Sequence, residues 1–210
     1  MKVALIGSAG NIGSRILQEA LNRGHEVTAI WHTKEPPLDH RPKLTKKKGD
    51  VHDPEALAKI LEGHDAVIAS YNLSVPKGPE GAREIVEAVK KSGVKRLLWV
   101  GGAGTMDAVP GTSVVDMPGF PEEVKPHALP MRDFYNEVLK DETPLDWTFF
   151  GPAVIIQAGE RTGQFRIQAE LILQGSDGGP SKISYEDYAV AMVDELEKPS
   201  HSRKRFTIAY

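Results

Sequence analysis

The chain opens Lys2-Val3-Ala4-Leu5-Ile6, turns through Gly7-Ser8-Ala9-Gly10-Asn11-Ile12-Gly13 and runs on to Asn22-Arg23-Gly24. Five residues with one charge at the edge, bounded by glycine, suit a strand buried on both faces. Ile12, Ile16, Leu17, Ala20 and Leu21 then recur at helical spacing, and Gly24 stands where a left-handed C-cap is wanted. Gly7 permits the tight turn, Gly10 lets backbone approach a pyrophosphate, and Gly13 lets the helix lie close against the strand. The start of that helix offers unpaired N–H groups and a positive dipole end to the anion. Alone, such glycines mean only a turn; between a strand and a capped helix they read as a dinucleotide site.

The spacing Gly7-x-x-Gly10-x-x-Gly13 resembles the short-chain dehydrogenase/reductase superfamily, and most of all its atypical branch of NmrA-like, biliverdin reductase B-like and NADH-flavin reductase-like proteins. Gly101-Gly102-Ala103-Gly104-Thr105 is similar to that group's glycine segment beside the nicotinamide. The stretches Arg161–Arg166, read as a hairpin capping the substrate cleft, Lys182–Ala189, read as the start of a helix, and Arg205–Ile208, read as an edge strand, extend the likeness over nearly the whole chain. The resemblance implies an α/β, NAD(P)-binding Rossmann-like doubly wound parallel sheet with a small C-terminal substrate lid. One domain over 1–210 is expected, with a substrate flap at about 105–130 and a hairpin and lid at about 151–184.

Bulk properties agree with one soluble domain. At 210 residues, 40% apolar and 26% charged, the chain can bury a sizeable core. A net charge of −3 gives no reason to expect nucleic acid or an anionic membrane as partner. There is no cysteine, which removes disulfides, thiolate nucleophiles and cysteine metal sites. The seven histidines show no i, i+4 pairing beside acids, so no metal site is expected. The opening strand leaves no place for a signal peptide, and a cytoplasmic monomer or homodimer is expected.

Further along, Glu26–Trp31 reads as a second strand. An acid about twenty residues past the glycines would hold the ribose of NAD, whereas a cation would suit the 2′-phosphate of NADP. That place holds His32-Thr33-Lys34, so NADP is preferred and NAD stays possible. The basic run from Arg41 to Lys48 reads as the solvated face of an edge strand. The resemblance puts Asp50 and Val51 beside the adenine. Ala66–Ser70 is a buried strand expected next to the first, and the crevice where strand order reverses is where ligands bind. Ala69, Ser70 and Tyr71 are therefore expected at the ribose and nicotinamide, with Tyr71 also toward the substrate or merely exposed. Gly101, Gly102 and Ala103 are expected against the nicotinamide, because only small residues leave room there. The proline-rich stretch from Met106 to Pro130 reads as a flap bringing Phe120, with a helix opening at Pro130 or Met131. The strand Asp146–Phe150 ends in Gly151-Pro152, and the resemblance puts Pro152 on the substrate side. Arg161 can bind an acidic substrate or simply hold its own hairpin.

Catalysis must be read from an absence. No tyrosine is followed by lysine four residues on; Tyr135 and Lys140 are one residue too far apart and lie on different helix faces. Reduction of a simple ketone demands a positioned acid for the alkoxide. A flavin or quinone delocalises the incoming charge, so orientation of two rings suffices. The expected activity is NAD(P)H-dependent reduction of a flavin-like (FMN or another flavin) or quinone-like acceptor. The alternative is a non-catalytic NmrA-like redox sensor. Lys125 and His127, in the flap, could assist protonation or grip a substrate phosphate.

Overall fold

A computed structural model of the chain describes residues 1–38 and 41–210. The first half runs β1 (Lys2–Ile6), α1 (Asn11–Asn22), β2 (Glu26–Trp31), β3 (Leu44–Lys48), α2 (Pro54–Leu61), β4 (Ala66–Ala69), α3 (Gly78–Ser92) and β5 (Arg96–Val100). The second half runs β6 (Asp107–Val109), β7 (Thr112–Ser113), α4 (Lys125–Phe134), β8 (Asp146–Gly151), β9 (Ile155–Gln157), β10 (Arg166–Ala169), β11 (Lys182–Ser184), α5 (Tyr185–Glu197) and β12 (Lys204–Ala209). Eight strands form the central sheet in the order β10-β12-β8-β5-β4-β1-β2-β3. All its pairings are parallel except β10 on β12. Strand order reverses between β1 and β4, which opens the crevice expected of a doubly wound sheet.

Alternation along β1 sorts the two cores. Val3 and Leu5 point to the layer of α1 and α5, and Ala4 and Ile6 to the layer of α2, α3 and α4. Both faces are covered, which is why β1 reads as an uninterrupted apolar run. Four rings tie α5 to the sheet: Tyr188 stacks on Phe150 at 4.0 Å, Phe150 on Phe206 at 4.1 Å, and Phe206 on His201 at 4.1 Å. Phe150 and Phe206 are direct partners in the β8–β12 register, so the strand pairing itself builds the column. No helix among the described residues is long and apolar enough to cross a membrane.

Three expectations need correction. The flap is shorter and more ordered than the sequence suggests: it holds the β6–β7 pair and a 3₁₀ turn at Val114–Asp116, and α4 already begins at Lys125. Pro126 is tolerated there because the first turn of a helix needs no N–H from it. Residues 161–165 form no hairpin; Asp187 instead draws in the amides of Thr162 and Gly163, each at 2.8 Å. The strand containing Arg205–Ile208 is not at the edge, because β10 pairs outside it.

Candidate functional site

The β1–α1 turn is built around its glycines. Gly7 has φ +78, and a side chain there would place Cβ 2.0 Å from the carbonyl oxygen of Ser70 on the neighbouring strand. A Cβ on Gly13 would stand 2.2 Å from the carbonyl oxygen of Gly7, so the helix packs on the turn only because none is present. Gly10 differs. A Cβ there would meet only the Gly7 oxygen, at 3.5 Å, and the residue is exposed. Its lack of a side chain serves no protein contact and leaves the helix start open. Gly10 caps α1 without a side-chain hydrogen bond, and the first turn carries no acid, so its amides are available to an anion. Asn11 is exposed and Ile12 half-buried on that turn; Ala9 is half-buried before it. The Ser8 hydroxyl is buried and donates to the Ile30 carbonyl at 3.2 Å, so only its backbone is left for a ligand. These residues fit the diphosphate of a dinucleotide.

The ends of β2 and β3 carry the residues expected on the adenosine side. His32 Nε2 lies 3.6 Å from Asp50 Oδ2, and His32 Nδ1 lies 3.3 Å from the Thr33 hydroxyl. Lys34 is exposed on the same loop. Asp50 also accepts the His52 amide at 2.9 Å. Tyr71 is a correction. A Cβ on Gly81 would lie 2.4 Å from its hydroxyl and 3.1 Å from Val51 Cγ2, so the ring fills a notch in α3 beside Val51. Burial, then Glu84 and Asp50, push its phenol above the usual range. Tyr71 is therefore packed on α3 beside Val51, and is not the merely exposed loop aromatic of one reading.

At the other end, Ala69 closes β4, and the Ser70 amide donates to Ile6 at 3.0 Å. Gly101 admits the ring of Phe149, whose Cε1 is 2.2 Å from where a Cβ would sit. Gly102 faces Met131 and Gly104 faces Ala128, Val115 and Phe120, while Ala103 starts a 3₁₀ turn. Phe120 thus lies beside Gly104 in the glycine cluster. Gly151 packs on Met106, and Pro152, buried, accepts the Thr207 hydroxyl at 3.2 Å through its carbonyl. Lys125 and His127 stand on the first turn of α4, not on a loop; Lys125 pairs with Glu122, and the His127 carbonyl accepts the Ser74 hydroxyl at 3.4 Å. Tyr135 is buried under the Arg205 guanidinium, 4.8 Å from its ring centre, and burial pushes its phenol up to about 12.

Arg161 is the second correction. Its Nε and Nη2 hold both oxygens of Glu19 on α1, at 2.8 and 2.7 Å, so it braces the 158–165 segment and is not free for substrate. Glu19 is nearly buried and needs cations, which accounts for the capture. Sequence reading missed Asp187 and Glu186, which anchor that segment from the start of α5. Glu186 accepts the Gly159 amide at 2.9 Å and Arg15 Nε at 3.1 Å. Acids in a helix's first turn look like dipole partners, so nothing in the sequence marked them.

Comparison with known proteins adds the family. A family model described as NAD(P)H-binding matches residues 7–199. Three solved structures are named, each time with the word putative, as an exported protein from Burkholderia pseudomallei, an epimerase from Bacteroides thetaiotaomicron and an NADH-flavin reductase from Streptococcus pneumoniae TIGR4. Their identities are 42%, 40% and 34%, with TM-scores of 0.88, 0.92 and 0.83. Each covers 100% of this chain, which spans 100%, 96% and 99% of theirs.

Proposed function

The chain belongs to the NAD(P)H-binding family, and we propose that it is an NAD(P)H-dependent oxidoreductase that reduces a flavin-like or quinone-like conjugated acceptor. When bound, the nicotinamide supplies the hydride. Asn11 to Gly13 would hold the diphosphate through backbone amides, and His32, Thr33 and Lys34 the 2′-phosphate of NADP. Gly101, Gly102 and Ala103 would give the nicotinamide a flat backbone wall, with Phe120 and Pro152 on the acceptor side.

The observation that carries this reading is the position of Tyr135. Tyr135, just past the end of α4, is buried against Trp147 and against Phe149, the ring that fills the space at Gly101, without a lysine one helical turn on. An acceptor whose rings delocalise charge, and which takes its proton from water, suits such a site. One relative is named an epimerase; the sugar-nucleotide epimerase reading is disfavoured because the sequence has no tyrosine followed by lysine four residues on. The name of the Streptococcus pneumoniae protein agrees with the reductase reading.

The test follows nicotinamide absorbance with NADPH or NADH and FMN, riboflavin or a quinone. Turnover well above the free-solution rate supports the enzyme. Tight nucleotide binding without turnover supports a non-catalytic redox sensor instead.

A further inference from the structure

The adenosine side carries a feature that the glycine fingerprint does not dictate. Where an NAD site presents an acid and an NADP site a permanent cation, this chain presents both kinds of group across one gap. His32 closes β2, Asp50 follows β3, and their facing atoms are 3.6 Å apart with both side chains largely in water. Among the described residues, Asp50 is the only carboxylate within ion-pair distance of His32. Several of the other charges nearby are engaged. Lys48 lies over the Trp31 ring, Glu35 pairs with Lys46, and His52 bonds Glu84. Tyr71 is held neutral behind Val51, with Glu84 and Asp50 the acids that face it. Lys34 is exposed at the loop's tip.

We propose that the His32–Asp50 pair selects the adenosine 2′ substituent according to protonation of His32, which makes cofactor preference depend on pH. An imidazolium at His32 neutralises Asp50 and accepts a 2′-phosphate. A neutral imidazole leaves Asp50 uncompensated, repelling that phosphate while still accepting a hydrogen bond from the 2′-hydroxyl of NADH. This inference rests on the placement of the dinucleotide over the β1–α1 turn, and is indifferent to the acceptor.

The test is direct titration of NADPH and NADH against the protein from pH 5.5 to 8.5, by fluorescence or calorimetry. The ratio of NADPH to NADH affinity should fall about fivefold over that range, the effect of one charge at about 4 Å in a water-like medium. The phosphate itself gains charge near pH 6, so His32→Arg is the needed control. With a permanent cation its NADPH preference should hold or rise with pH. Asp50→Asn should favour NADPH at pH 8. A wild-type ratio that follows His32→Gln at every pH would overturn the proposal while leaving the binding site intact. Failure to bind either nucleotide would overturn both.

Discussion

The Tyr188 hydroxyl donates to the Phe150 carbonyl at 2.5 Å, and the same oxygen receives the Gly101 amide at 2.8 Å. One acceptor on β8 thus joins the C-terminal helix to the glycine cluster. Tyr188→Phe keeps the stacked ring and removes the bond. Stability should fall by about 1–2 kcal/mol in urea unfolding, with the Gly101 amide still satisfying the carbonyl.

Gly10 and Gly13 should part company on mutation. Gly13→Ala forces a clash with the Gly7 carbonyl and should cost about 1–3 kcal/mol or more in thermal unfolding. Gly10→Val has room in the protein, so the melting temperature should barely move. Dinucleotide affinity should nonetheless drop about tenfold or more, because the branched side chain covers the amides that hold the diphosphate.

The proposal that no protein acid is needed makes its own prediction. Tyr135→Phe, Lys125→Gln and His127→Gln should each leave kcat with a flavin or quinone within about threefold. Loss of a true general acid would cost about 10²-fold or more. Steady-state kinetics of the three variants decides it.

Acid should expose the Glu19 clasp. Hydrogen bonding to Arg161, opposed by burial and helped by Arg23, holds the Glu19 carboxyl below its ordinary 4.5. A depressed carboxylate contributes stability above its unfolded pKa and loses it as pH falls through the folded value. Wild-type stability should therefore decline more steeply below pH 4.5 than that of Arg161→Gln. At pH 7 that variant should lose no more than about 1 kcal/mol, since Arg161 is half exposed.

Much of this molecule was legible from its first 24 residues, because a buried strand, a glycine turn and a capped helix each leave a local signature. The place of β4 beside β1 followed from the doubly wound pattern once the strands were found. What escaped was set by long-range partners. Arg161 looked free until Glu19, 142 positions away, proved to hold it. The packing of Tyr71 was not legible because the notch at Gly81 lies on another element. The start of α4 was hidden by Pro126, which read as a loop residue, and by Pro130, which read as the helix's opening; both are carried within the helix.

The most direct measurement is a crystal structure of the protein grown with excess NADPH. The diphosphate should accept hydrogen bonds from the amides at the start of α1, at about 3 Å. The nicotinamide should then lie against Gly101 and Gly102. A nucleotide bound elsewhere, or a bare turn at saturating NADPH, would contradict the account.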